Sequence, residues 1–303
     1  MRRRKSPTRR AARKPAPANR AAYRYAGVAL LWFGTLGASA YALHRAEPYA
    51  LGQVNPDTRL VWVDLPSWLE QGPWRSRVLG ELETSLDTPA RPFAQAALRD
   101  PHLCEFVAKK LAASGWVERI ERVAVLPNGE IRAHADFRKP WAMVEHNGRA
   151  FVVDRNGARL PYSLASETAD RSSWFLIRGL KQRTPPVGQR WSGDAIEAGL
   201  DLAEFLYAEN EQLGRLRDSI LAIDVANFDG RIDPHAGRLR LVMKNPGSYI
   251  HWGVAPGKEY GVEASAERKL HNLCDWFRSE GGLPNVPWID VRDKDWIDAG
   301  DPR

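Results

Sequence analysis

Nineteen consecutive residues, Tyr25 to Leu43, carry no charge, and the 24 residues before them carry ten Lys/Arg and no acid. As a helix, such a run spans roughly 28 Å, close to the ~30 Å hydrocarbon core of a bilayer. Positive charge beside a spanning segment marks the cytoplasmic side. The pattern therefore predicts a cytoplasmic tail (1–24), a membrane helix (25–43) and a polar linker (44–58) containing Pro48 and Pro56, with the rest of the chain outside the membrane. Gly34 and Ala38 have the four-residue spacing that lets membrane helices approach closely.

Beyond the linker the periodicity alternates between two and 3.6. Arg59–Leu65 reads as a strand. Pro73 opens a helical pattern through Val78, Leu79, Leu82 and Leu86, and a second helix runs from Pro101 to Ser114 with Leu103, Val107 and Leu111 on one stripe, stopped by Gly115. Ile120–Leu126 and Glu130–Phe137 form a hairpin around Pro127-Asn128-Gly129. A compact strand–helix–helix–strand–strand unit over 59–139 follows. Trp141–Glu145 and Arg149–Val153 then flank the turn His146-Asn147-Gly148, and Asp154–Gly157 turns again. Trp174–Ile177 is a short strand, and Ser192 caps a helix to Leu213 that buries Ile196, Leu200, Ala203 and Leu206. Ile220–Val225, Arg238–Met243 and Ser248–Trp252 read as antiparallel strands. A last helix, Ala264–Arg278, and a last strand, Trp288–Val291, complete an α+β chain, leaving 293–303 as a polar tail.

The formal net charge of +7 invites a nucleic-acid reading. Setting aside the ten N-terminal cations leaves 34 Lys/Arg against 37 Asp/Glu, a net −3 for the remainder. The exported part therefore gives no electrostatic case for specific nucleic acid. Pro7, Pro15 and Pro17 make the basic tail a disordered arm, suited to setting topology and resting on anionic lipid; contact with a cytoplasmic partner or DNA is the alternative. Ala38-Ser39-Ala40 has the form of a signal-peptidase site. The long basic region before it, and the apolar residues after it, favour a retained anchor.

Chemistry-bearing patterns are sparse. There is no HExxH, GxSxG, Walker loop, GxGxxG or CxxC. His102, His134, His146, His235, His251 and His271 show no ligand spacing. Aligning Gly230 of Asp224–Gly230 on a calcium loop puts Val225 and Ala236 at ligand positions, so the segment reads as a turn. Asp290, Asp293, Asp295, Asp298 and Asp301 crowd the C-terminus, where pocket walls are hard to build. Cys104 and Cys274 read as two free thiols, with a disulfide as the alternative. Trp62, Trp68 and Trp74 suit either a membrane interface or a core. Trp252, Trp288 and Trp296 belong to the last part of the chain, where an exposed one would anchor a protein interface.

Several short pieces carry a family resemblance. They are Gly115-Trp116-Val117, the Val123–Ala135 hairpin, Arg138-Lys139-Pro140-Trp141-Ala142 and Phe151–Gly157. His251-Trp252-Gly253, the helix Glu267–Phe277 with Lys269, Leu270 and Leu273, and Trp288-Ile289-Asp290-Val291-Arg292 follow in order. Behind a basic tail and a single anchor, this series resembles the FtsQ/DivIB family of bacterial cell-division proteins over residues 20–292. Asp64-Leu65-Pro66-Ser67 departs from that family's first-strand turn, and Phe137 stands where it has an acid.

The resemblance implies a POTRA domain (59–139), a β domain of antiparallel strands with two packed helices (140–292) and a division-site location in the inner membrane. It also implies a scaffold with no catalytic residue, metal or cofactor. Its partners would be FtsB/FtsL-like proteins on the β domain and an upstream division protein on the POTRA domain. On that reading the terminal strand is a sheet edge that accepts a partner strand through Ile289, Asp290, Val291 and Arg292, with Trp288, Arg268 and His271 beside it. A membrane-anchored wall hydrolase and a POTRA module of an envelope-assembly or secretion system are the alternatives. The retained anchor predicts that N-terminal sequencing of the membrane-bound protein finds the basic tail; a mature chain beginning at Tyr41 would contradict it.

Overall fold

The structure, a computed structural model, describes residues 20–53, 59–87, 101–126, 128–166, 174–280, 286–294 and 296–300. The tail residues 1–19, Pro56, Pro127, Asp295 and Asp301 lie outside the described residues. The chain divides into two units, Met1–Pro56 and Asp57–Arg303.

The first unit holds one helix, α1 (Arg20–Gln53). Its stretch Tyr25–Ala46 is long and apolar enough to cross a membrane. The expected linker is corrected over 44–53, where the helix continues through Pro48. Proline's fixed φ is helical, so Pro48 removes one main-chain hydrogen bond without preventing the helix from forming.

The second unit begins with β1 (Arg59–Val63), the single turn α2 (Ser67–Glu70), α3 (Arg75–Leu86), α4 (Leu103–Ala113), β2 (Val117–Val125) and β3 (Glu130–Phe137). The three strands lie in the order β1-β3-β2, with β1 parallel and β2 antiparallel to the central β3. Parallel pairing of β1 with β3 needs an intervening crossover, which the helices supply. Val78, Leu82 and Leu86 of α3 and Leu103, Val107 and Leu111 of α4 repeat at four-residue spacing, and all six are buried. Gly115 adopts φ +83°, the left-handed conformation that turns the chain from α4 into β2. The element order is the one expected, with α2 added.

A larger mixed sheet follows. Its strands are β4 (Ala142–His146), β5 (Arg149–Val153), β6 (Arg159–Ala165), β7 (Leu176–Arg178), β8 (Ile220–Asp224), β9 (Leu239–Met243), β10 (Tyr249–Gly253), β11 (Trp288–Asp290) and β12 (Asp298–Ala299). Among the described residues its order is β12-β11-β10-β9-β8-β7-β4-β5-β6. The helices α5 (Asp194–Ala208), α6 (Asn210–Leu213) and α7 (Arg215–Ser219) lie between β7 and β8, and α8 (Ala266–Ser279) between β10 and β11.

Four expectations are corrected here. The sheet is not wholly antiparallel: β7 runs parallel to β4 and β8, and β11 parallel to β10. The β7–β8 and β10–β11 connections pass through helices, which return the chain to start a strand in the same direction. The helix predicted from Ser192 to Leu213 starts at Asp194 with Gly193 at the cap position, and it breaks at Glu209 into α5 and α6. The strand β6 was not anticipated. The expected polar tail 293–303 contains β12, and Ile297 just before it packs on the core.

The large sheet is covered on both faces along its middle. Val144, Phe151, Val153, Ile177 and Ile223 share a core with α5 (Leu200, Leu202, Ala203) and α8 (Leu270, Leu273). Met143, Ala150, Val152, Leu176 and Ala222 alternate with them and share a second core with Leu82, Leu111, Trp116 and Ile131. The junction between the two sheets is pinned by Arg138, whose Nη1 donates to Asp154 Oδ2 at 2.6 Å. The other oxygen of Asp154 accepts the amides of Asn156 and Ala158 at 2.9 and 2.8 Å. Ile177→Ala is expected to cost about 2–5 kcal/mol in denaturant unfolding, because it empties a fully buried site facing α5. Val262→Ala, at an exposed position, should change stability by no more than about 0.5 kcal/mol.

Candidate protein-binding edge

Beyond β9 the second face of the sheet loses its cover. Ile250, Trp252, Ile289 and Val291 face the helices and are buried. Tyr249, His251, Trp288 and Asp290 point the other way and are half-buried. Arg240 continues this row on β9, its guanidinium 5.2 Å from the Tyr249 ring centre. Tyr249 and His251 meet edge to face at 4.9 Å, and His251 meets Trp288 at 6.0 Å.

Arg292 closes the row. Its Nε donates to Asp290 Oδ1 at 2.9 Å, its Nη2 to Oδ2 at 2.6 Å, and its main-chain amide to Oδ1 at 3.0 Å. Burial of Asp290 opposes ionisation, but the Arg292 hydrogen bonds outweigh it and hold the carboxyl below its ordinary range. The same hydrogen bonds raise the Arg292 pKa. For His251, burial is the leading influence and lowers its pKa below 6.5, with Asp290 acting in the opposite sense. Its Nδ1 accepts the Gly237 amide at 3.1 Å.

The seven expected residues therefore divide. Trp288, Asp290 and Arg292 form the open face. Ile289 and Val291 belong to the core. Arg268 and His271 lie on α8, which covers the opposite face. Arg268 Nε reaches the Lys294 carbonyl at 3.3 Å, bracing the segment that leads to β12, while His271 Nε2 sits 3.2 Å from Asp275 Oδ2 on its own helix.

The position of the edge is also corrected. β11 lies between β10 and β12, with Ile289 opposite Ala299 and Asp290 opposite Asp298. The Val291 amide donates to His251 O at 3.3 Å, so it serves the sheet itself rather than an incoming strand. Among the described residues, the free edge at this end is the outer side of β12. Gly300 N donates to Trp288 O at 3.0 Å. Hydrogen-bonded and non-bonded pairs alternate in an antiparallel ladder, so the Ala299 amide points away from β11. Among the described residues it meets only the adjacent Asp298 Oδ1, at 2.9 Å. A side chain at Gly300 would bring a Cβ to 2.7 Å from Pro287 Cγ and 2.9 Å from Trp288 Nε1, so this close approach requires glycine.

Trp296, immediately before β12, is 64 % exposed, whereas Trp252 is fully buried. The alternation of Tyr249 and His251 with buried neighbours, and the apolar Ile297 inside the acidic tail, are the sequence signals for the open face and for β12. Beneath the edge, Lys269 is fully buried with its Nζ 2.6 Å from Glu263 Oε1 and 5.5 Å from the Trp252 ring centre. Glu263 Oε1 also accepts the Val254 amide at 2.9 Å, locking the end of β10 onto α8. Among the described residues no group of His, Cys, Asp and Glu could hold a metal ion, and Cys104 and Cys274 are both free. The arrangement can bind a strand or an aromatic side chain. No protein-family model matches the chain, and no curated protein matches it.

Because the fold lowers the His251 pKa, the unfolded chain binds more protons between that value and 6.5, and stability falls as pH drops through this window. Thermal unfolding should show this decline below pH 6.5. His251→Asn, whose amide oxygen can accept the Gly237 amide, should flatten it; an equal slope in both proteins would exclude His251 as the cause.

Proposed function

We propose that the protein is a membrane-anchored, non-catalytic scaffold of the bacterial division machinery, of the FtsQ/DivIB type. In this reading it binds partners through the outer edge of β12. The observation that carries the reading is an edge amide, Ala299 N–H, that meets no other strand among the described residues and lies near the exposed Trp296 and the half-buried Trp288. A partner segment adding here would gain main-chain hydrogen bonds from β12 and a side-chain contact from the exposed Trp296 immediately before it. The Asp290 carboxylate is engaged by Arg292, which suits an ordered surface better than acid–base work.

The βααββ order of 59–137, with β1 parallel to β3, supports its assignment as a POTRA domain, the surface for an upstream division protein. The β domain of 140–292 is extended through β12. Under this proposal the basic tail lies in the cytoplasm against anionic lipid, α1 crosses the inner membrane, and the second unit lies outside it at the division site. The partner at β12 is an FtsB-like extracytoplasmic segment, accompanied by an FtsL-like protein.

Ala299→Pro removes the outward donor and leaves the ladder to β11 intact, since proline is tolerated where an edge amide faces solvent. One lost hydrogen bond of about 0.5–1.5 kcal/mol should weaken binding of an FtsB-like segment by roughly 2- to 13-fold without lowering the melting temperature. Unchanged affinity would contradict strand addition at β12. A fluorescent fusion should form a band at midcell; uniform envelope fluorescence in dividing cells would contradict the division role.

A further inference from the structure

The core between the two sheets does not close at the β6 end. Leu160 is fully buried, but Tyr162 and Leu164, two and four residues along β6 on the same side, are half-buried. With Trp68, Trp74 and Trp174 they line a groove of about 630 Å³, the size of a ligand-binding cleft. Trp74 packs on Tyr162 at 5.2 Å and on Trp174 at 5.5 Å between ring centres. The Arg77 guanidinium lies 4.5 Å from the Tyr162 centre and 6.0 Å from that of Trp74. Lys139 is exposed on the same lining.

Among the described residues no acid lines this groove, and neither cation has an ion pair to an acid. A guanidinium held against two rings is oriented before any anion arrives, so binding loses less side-chain entropy there. This concentration of unpaired positive charge stands on a chain whose residues beyond the tail are net negative.

We propose that this groove docks an extended acidic segment of a partner protein. Its carboxylates meet Arg77 and Lys139, and an aromatic, aliphatic or proline side chain sits among Trp74, Tyr162 and Trp174. The site lies at the other end of the strand order from β12 and does not rest on the division reading.

The test is selection of displayed random peptides on the full chain in neutral phosphatidylcholine nanodiscs, with counter-selection on the Arg77→Glu/Lys139→Glu variant. Both residues are exposed, so the variant should fold, and its melting temperature is checked. Recovered peptides should be acidic with an apolar anchor. They should bind the double variant at least about tenfold more weakly, because like charges then face each other. Arg77→Gln should weaken binding less, and Ala299→Pro should leave it unchanged. Recovery of no discriminating peptide, or of peptides without acidic enrichment, would overturn the proposal. So would loss of binding to phosphatidylglycerol vesicles in the double variant with peptide affinity unaltered, which would assign the groove to a lipid surface.

Discussion

Val152 and Val153 are neighbours in one strand, point to opposite faces and are both fully buried. A strand in that position must be covered on both sides, and the arrangement of the second unit follows from this need. The helices α5 and α8 cover one face, and the strand–helix–strand unit of 59–137 covers the other. The smaller sheet thereby becomes one layer of a common core rather than a separate bead on the chain. The helices reach β10 and β11, but the cover from 59–137 does not. The open face at β10–β11 and the open groove at β6 are both places where one layer stops before the other.

Local rules made much of this legible in the sequence. Glu130–Phe137 matches its strand at both ends because apolar alternation and an Asn-Gly turn agree there. Asn147 and Gly148 take positive φ, as a two-residue hairpin turn demands. The stripes of α3, α4 and α8 were readable because each helix has a single buried face. What remained hidden depended on partners distant in sequence. The parallel neighbours of β7 are 33 and 46 residues away, in β4 and β8, and no local pattern distinguishes parallel from antiparallel pairing. The break at Glu209 and the continuation through Pro48 concern the backbone alone, without a change in apolar period.

The expected binding residues illustrate the same limit more sharply. Periodicity of two, which the reading of Ile289–Arg292 as one binding set does not use, separates Trp288, Asp290 and Arg292 from Ile289 and Val291, and the structure places the two groups on opposite faces. It cannot say whether the strand has a neighbour on each side. That depends on whether Asp298 and Ala299 fold back, and those residues have poor intrinsic strand preference. Their pairing is secured instead by the Gly300–Trp288 hydrogen bond, by the packing of Ile297 and by the hold of Arg268 on Lys294.

The proposed partner site is the outer side of β12, where a strand would add. It is tested most directly by residue-resolved amide hydrogen exchange of the full chain, alone and with an FtsB-like extracytoplasmic segment. On binding, the Ala299 amide, which among the described residues meets only the adjacent Asp298 carboxylate, should become strongly protected. The Val291 amide, already bonded to His251, should change little. Protection confined to other surfaces, with Ala299 exchanging as freely as before, would contradict it.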